Sequence, residues 1–283
     1  MPVSLPPALD LSLDLLCCPT CRTRRLHPEG GALRCPVGHT FDIARHGYAG
    51  LLTGTRATSG DDAAMVQARN RFLSTGIYAP IREVGARLAA DAMSEQGTVV
   101  DVGCGTGYYL AGVLDRLPDA RGLGLDTSVR ALRSAARAHD RAAAVTWDVF
   151  RHFPLVDGAA DVVLNVFAPR NPAEFHRVLR STGRLIVVRP TGRHLAELRG
   201  QVPAMVTIDP AKEQRLHRAL DPFFEAAVTE RVEYSAPLTR PDALDLVAMT
   251  PSARHVSRAD MNDCVLLPDQ VTVSVLATAY RPR

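Results

Sequence analysis

Two groups of residues in this 283-residue chain have the types and spacing for chemistry. The first lies near the start. Four of the six cysteines, Cys17, Cys18, Cys21 and Cys35, precede His39. Cys18-Pro19-Thr20-Cys21 is a CxxC pair, and Cys35-Pro36-Val37-Gly38-His39 is a CxxxH pair. Three thiolates and one imidazole make a closed tetrahedral Zn2+ site, with Cys18, Cys21, Cys35 and His39 as the ligands. Cys17 could replace Cys18, but only Cys18 leaves the two-residue spacer. The competing reading is a redox CxxC, which opens a helix after a strand, and no such unit surrounds this one. With all four positions filled by protein, the ion holds structure and performs no chemistry.

The second group is Gly103-Cys104-Gly105-Thr106-Gly107, directly after an apolar run at 98–102. Leu110, Val113, Leu114 and Leu117 then recur at helical spacing. Strand, glycine-rich turn and helix form the first half of a doubly wound unit. The glycines let backbone approach a ligand, and the helix start offers free amides. The next strand, 121–126, ends in Asp126, placed to accept hydrogen bonds from ribose hydroxyls. Val145-Thr146-Trp147-Asp148 reads as a third strand running into an acid. A dinucleotide fingerprint would need a third glycine at position 108, where Tyr108 stands. The pattern is instead GxGxG, preceded by Asp101. An unrelated ligand on a Rossmann-type unit is the competing reading.

These groups need a scaffold. Residues 161–168 read as a buried strand, and a helix follows from Asn171-Pro172. Ser181-Thr182-Gly183 reads as a turn into a strand at 184–188. Residues 271–280 alternate as a strand should, with 228–234 as a partner. Five parallel strands and two more give an α/β fold with a seven-stranded sheet. Glu29-Gly30-Gly31 reads as a turn between short strands of the cysteine-rich segment. Hydrophobic residues make up 46% and charged residues 22%, which suits a globular chain rather than a disordered one. No run approaches the ~20 apolar residues of a membrane span. The first sixteen residues hold Asp10 and Asp14 and no base, so they do not read as a secretory leader, and a cytoplasmic location is expected. The net charge of +3 is unevenly divided: −2 over 1–16, +4 over 17–56 and +1 over the rest. A basic small module beside a neutral large one suits an anionic partner. Lys212 is the one lysine, a bias that runs along the whole chain.

Asp101 with GxGxG resembles the AdoMet-binding motif of class I methyltransferases. That resemblance implies S-adenosyl-L-methionine as cofactor. Asp101 would face its amino-acid part, Gly103, Gly105, Thr106 and Gly107 would cradle it, Asp126 would hold the ribose and Asp148 the adenine. With the preceding Cys18–His39 ribbon, the chain resembles the 23S rRNA (guanine-N1)-methyltransferases. The residues that carry this include His39-Thr40-Phe41-Asp42, Gly47-Tyr48, Asp61, Met65, Ala68-Arg69, Gly76-Ile77-Tyr78, His194-Leu195-Ala196-Glu197-Leu198 and Met249-Thr250-Pro251. The stretch 165–172 (NVFAPRNP) is most similar to the branch found in macrolide producers. Ser181-Thr182-Gly183 departs from the usual Lys-Pro-Gly-Gly. The resemblance implies methylation of guanine N1 in a hairpin loop of domain II of 23S rRNA, with resistance to tylosin-like macrolides. It also implies that Tyr78 and His194 lie against the cofactor.

The domains expected are a zinc ribbon for rRNA recognition at 1–60, a linker at 61–78 and the methyltransferase at 79–283. Loss of the ribbon, as in Cys21→Ser, is expected to leave AdoMet binding nearly intact. Asp61 is a candidate acceptor for the guanine N1 proton, or else it caps the helix starting near Ala63. Phe167 would stack on the flipped guanine or sit in the core, and Pro169 would shape the pocket wall. Arg69 and Arg71 would approach phosphates or the cofactor carboxylate, or form a solvated face. Tyr48 and Phe41 are candidate stacking residues, with a core role the alternative for Phe41. A homodimer fits, because one small module is a modest grip on rRNA. Two rivals remain: a small-molecule methyltransferase, which leaves the ribbon unexplained, and a non-catalytic zinc RNA-binding protein.

Overall fold

The computed structural model describes residues 5–54, 60–93, 96–202, 205, 215, 218–250 and 267–283. Lys212, Pro251 and the sixth cysteine, Cys264, lie outside the described residues. A short helix, α1 (Pro7–Asp10), and a 3-10 turn at Leu13–Leu15 lead into the ribbon. Its strands β1 (His27–Glu29), β2 (Ala32–Arg34) and β3 (Thr40–Asp42) form an antiparallel sheet in that order. Gly30 and Gly31 have φ of 61° and 85°, so the β1–β2 turn needs two left-handed residues, which glycine supplies without strain.

Helices α2 (Ala63–Ser74) and α3 (Ala79–Ala90) precede the catalytic sheet. Then come β4 (Thr98–Val102), α4 (Tyr108–Arg116), β5 (Arg121–Asp126), α5 (Val129–Ala135), β6 (Ala142–Thr146), β7 (Ala160–Val166) and α6 (Pro172–Val178). They are followed by β8 (Leu179–Pro190), α7 (Ala196–Gln201), β9 (Phe224–Pro237), α8 (Arg240–Ala248) and β10 (Gln270–Pro282). The seven strands run in the order β6-β5-β4-β7-β8-β10-β9. The first five are mutually parallel, and β10 is antiparallel to both β8 and β9. This is the expected seven-stranded class I arrangement. Every residue of β4 and β6 is buried, as strands covered on both faces require. Side-chain caps fix where helices start: Asp62 accepts from Met65 N, Ser128 from Ala131 N, and Thr239 with Asp242 forms a capping box.

Three local readings change. Ser181-Thr182-Gly183 lies inside β8, as a bulge between the pairs Ala160–Leu179 and Val162–Arg184. A Cβ at Gly183 would come within 2.8 Å of the Asp161 carbonyl, so the bulge tolerates no larger residue there. Strand β6 stops at Thr146, two residues short of Asp148. The cap of α2 is Asp62, one residue after Asp61.

The ribbon does not stand apart. Leu26, Leu33, Phe41 and Ile43 join one buried cluster with Val100, Leu123, Val145, Phe153 and Phe175 of the catalytic body. Leu16 bridges Leu155, and Ala49 bridges Val145 on the outer edge of β6. Ala49 N donates to Ala144 O at 3.0 Å, and Thr146 N donates to Ala49 O at 2.9 Å. Each fully buried side chain of this kind contributes about 1.5–3 kcal/mol, against about 1–2 kcal/mol of backbone entropy for every residue ordered. A ribbon with four such side chains cannot fold on its own core. Phe41, 3% exposed, is core.

Candidate active site and metal centre

The metal centre is assembled by two tight turns. Arg22 N donates to Cys18 O at 2.9 Å, and Gly38 N donates to Cys35 O at 2.9 Å. Gly38 has φ of 97°, whereas the corresponding left-handed position in the first turn is Arg22, with φ of 61°. A side chain there costs about 1–2 kcal/mol. It is retained because the Arg22 guanidinium donates to Phe153 O at 2.8 Å, tying the turn to the catalytic body. The ligand atoms of Cys18, Cys21, Cys35 and His39 lie within 4.8 Å of one another. Cys21 and Cys35 Sγ are 3.8 Å apart, and His39 Nδ1 is 3.6 Å from Cys18 Sγ and 3.3 Å from Cys35 Sγ. Zn–S bonds of about 2.3 Å give a tetrahedral S···S edge of about 3.8 Å. The four residues fit Zn2+, which would stabilise the ribbon from all four corners with no position open for catalysis.

The cofactor pocket lies where β4 and β5 end. Asp126 closes the glycine turn: its Oδ2 accepts from Gly105 N and its Oδ1 from Ser128 N, both at 2.8 Å. Burial holds the Asp126 carboxyl above its ordinary range, opposed by those two N–H groups. Gly105, with φ of 54°, meets only the Arg69 side chain where a Cβ would be, so its face is open toward the pocket. Asp101 is 2% exposed, and its Oδ2 has no hydrogen-bond partner. Burial, with Asp126 adding to it, pushes this carboxyl up to about 8. An unpartnered buried carboxylate oxygen beside a glycine cradle fits the ammonium and ribose of AdoMet.

A cavity of about 40 Å³ joins Arg69, Leu73, Tyr78, Gly103, Thr106, Tyr109, Val166, Phe167 and Met249. Four residues expected at the site, Tyr78, Gly103, Thr106 and Phe167, therefore meet here. His194 stands behind them. Its Nδ1 accepts from Ser274 N at 3.2 Å, so its proton lies on Nε2, 3.1 Å from the Tyr78 hydroxyl. Burial, then Arg199, lowers the His194 pKa to about 4. The His194 ring stacks on Phe167 at 5.8 Å and 24°. Phe167 is 37% exposed and has φ of 53°, a strained conformation for an aromatic residue. Asn165, fully buried, shapes this loop by donating to Val102 O and to Pro169 O. Pro169 itself is exposed.

Other expected residues fall elsewhere. Asp148 caps its own turn, accepting from Phe150 N at 3.0 Å, and does not line the cavity. Asp61 was the candidate proton acceptor, but its Oδ2 is engaged by Arg69 at 2.6 Å. Arg71 forms a two-pronged pair with Asp245 of α8 rather than facing the pocket. Tyr48 packs against the small cluster of Cys104, Leu132, Ala135 and Ala144. Sequence reading missed Tyr109, Leu73 and Met249 as lining residues. Tyr109, two residues after Gly107, lies in the first turn of α4 and could have been found there. Leu73 and Met249 look like any other core residues.

Fold, glycine turn and metal cluster together define a class I AdoMet-dependent methyltransferase joined to a zinc ribbon. Residues 99–192 match the family model described as a methyltransferase domain, and residues 16–56 match the zinc ribbon described as "RlmA, N-terminal". A Streptomyces fradiae protein named 23S rRNA (guanine(748)-N(1))-methyltransferase is 44% identical, with 94% of this chain and 96% of the relative covered. A Micromonospora griseorubida protein, provisionally named a 23S rRNA (guanine-N(1)-)-methyltransferase, is also 44% identical, over 95% of this chain and 98% of the relative. Among solved structures, a methyltransferase from an antibiotic biosynthesis pathway of Anabaena variabilis superposes with a TM-score of 0.51 at 14% identity. It covers 71% of this chain and 96% of its own, and shares the fold alone. The chain belongs to the family of 23S rRNA (guanine-N1)-methyltransferases with an N-terminal zinc ribbon.

Proposed function

We propose that the protein transfers a methyl group from AdoMet to N1 of one guanine in a domain II hairpin loop of 23S rRNA. The modification would confer resistance to tylosin-like macrolides, and the enzyme would act in the cytoplasm, where ribosomes are. The observation that carries this reading is the shared core of the ribbon and the sheet that carries the glycine turn, within a chain whose relatives match across both parts. A small-molecule methyltransferase would have no use for the ribbon.

AdoMet supplies an electrophilic methyl group when bound. Gly103, Gly105, Thr106 and Gly107 would cradle it, with Asp101 toward its amino group, Asp126 toward the ribose and Asp148 toward the adenine end. Tyr78 and His194 would pack against it. The protein's main task is to align the acceptor nitrogen and exclude bulk water. The guanine must leave its stack, and Phe167 offers a face to receive it, with Pro169 at the rim. Guanine N1 loses a proton during transfer. Asp61, held at its Oδ2 by Arg69 at 2.6 Å, or a bound water would accept that proton. The boundaries proposed are 1–60, 61–78 and 79–283, with a homodimer adding a second grip on RNA.

Labelled AdoMet with unmodified 23S rRNA, mapped by primer extension, tests the reading, because N1 methylation blocks base pairing. A stop in the domain II loop supports it, and label with no stop there overturns it.

A further inference from the structure

Several arginines of the described body have an acid within reach: Arg71 pairs with Asp245, Arg87 with Glu230 and Arg180 with Asp161. A group gathered beside α5 is built differently. The tight turn from Ala44 to Tyr48, closed by Gly47 N donating to Ala44 O at 2.8 Å, brings Arg45 and His46 against the end of α5. Gly47, with φ of 97°, supplies the left-handed residue of this turn, where a Cβ would meet Ala136 in van der Waals contact. His46 is then set between two guanidiniums: Arg45 Nε is 3.3 Å from its Nε2, and Arg137 Nη1 is 3.4 Å from its Nδ1. Burial holds the His46 pKa down, followed by Arg133, Arg45 and Arg137. The charges acting on it are thus all positive. Arg133 Nε is buried without a hydrogen-bond partner. Arg130 and Arg133 lie one turn apart on α5, and Arg137 follows in the turn just past its C-cap, Ala136. Among the described residues, none of Arg45, Arg130, Arg133 and Arg137 forms an ion pair.

Like charges gathered without a counter-charge repel, and the arrangement is favourable only when an anion completes it. We propose that Arg45, Arg133 and Arg137, extended by Arg130, form a docking surface for backbone phosphates of the RNA substrate, apart from the methyl-transfer cavity. Guanidiniums suit phosphate because their planar fork offers two donors to one group. The surface is built jointly by the ribbon-side turn and by α5. That helix starts at Ser128, whose N–H holds Asp126. RNA seated here therefore bears on the same short segment that closes the glycine turn. The proposal rests on the RNA reading above and adds where the backbone is gripped.

The test uses the full chain and a transcript of the unmodified domain II hairpin, with binding measured across salt concentrations. Each lost single-strand phosphate contact lowers the log–log salt slope by about 0.7. The triple variant Arg45→Gln/Arg133→Gln/Arg137→Gln should lose about two units of slope and bind at least tenfold more weakly at physiological salt. Its AdoMet affinity and zinc content should be unchanged. The triple lysine variant, which keeps the charges, should retain most of the slope. A glutamine variant with wild-type slope and affinity overturns the docking surface while leaving the methylation reading standing. A wild-type protein that neither binds nor methylates the transcript overturns both.

Discussion

Arg69 of α2 reaches across the glycine turn, pairing with Asp61 Oδ2 at 2.6 Å and donating to the Met249 carbonyl at 2.9 Å. One guanidinium thus links the segment before α2, the cofactor turn and the end of α8. Binding pockets for ligands of AdoMet's size run roughly 300–1,000 Å³. The cavity beside Arg69 is about 40 Å³, so the Arg69 link stands against the space a cofactor would fill. Asp61→Asn should leave Arg69 without its charged partner and change AdoMet affinity about three- to tenfold, measured by calorimetry. A variant with wild-type affinity but methyl transfer reduced a hundredfold would instead mark Asp61 as the proton acceptor.

Asp101 predicts a proton released on cofactor binding. Its carboxyl, ordinarily near 3.8, is pushed up to about 8 by burial and by Asp126. The folded protein therefore holds a proton that the unfolded chain has lost between about pH 4 and 8. By linkage, stability from this group is complete below pH 4 and is lost as pH rises through about 8. A cation placed at Oδ2 favours the charged form and reverses that sign. Calorimetry of AdoMet binding near pH 7 should show an enthalpy that varies with buffer ionisation heat, corresponding to nearly one proton released. Asp101→Asn should remove the variation.

His194 should stay neutral across the working pH range. Its pKa of about 4 arises first from burial, then from Arg199, and the Ser274 N–H fixes the tautomer. Nitrogen shifts of the ring should be constant from pH 5.5 to 8, with the proton on Nε2 toward Tyr78. A midpoint above pH 6 would mean that the ring is more hydrated than its packing shows.

The metal should matter beyond the ribbon. Cys21→Ser removes one ligand of a site whose kind contributes about 10–16 kcal/mol on metal binding. Because Ala49 hydrogen bonds along β6, and Leu33, Phe41 and Ile43 share a core with Val100 and Leu123, the damage should spread. We expect zinc loss, a lower melting temperature and AdoMet affinity reduced at least fivefold. Zinc loss with unchanged AdoMet affinity would show that the two parts fold separately, as the spacing of motifs in the sequence suggested.

The zinc ligands and the glycine turn were legible in sequence because both depend on short-range spacing. The strands were legible because period-2 alternation and buried apolar runs are local as well. The error at Ser181-Thr182-Gly183 is instructive: turn-forming residues inside a parallel pair read the same as a loop. What stayed hidden was long-range. Nothing near Asp61 in the chain signals Arg69, Arg71 carries no mark of Asp245, and Tyr78 and His194 were brought together only by the family resemblance, not by any local pattern. The joint core of ribbon and sheet was hidden for the same reason.

That joint core also sets an order of events during synthesis. Arg22 waits for a carbonyl 131 residues further along the chain. At ~5–20 residues per second, the delay is roughly 7–26 s. Through that interval the nascent ribbon can close around its metal, yet its apolar side has nothing to cover it. Its burial is complete only when the later strands of the sheet have been made.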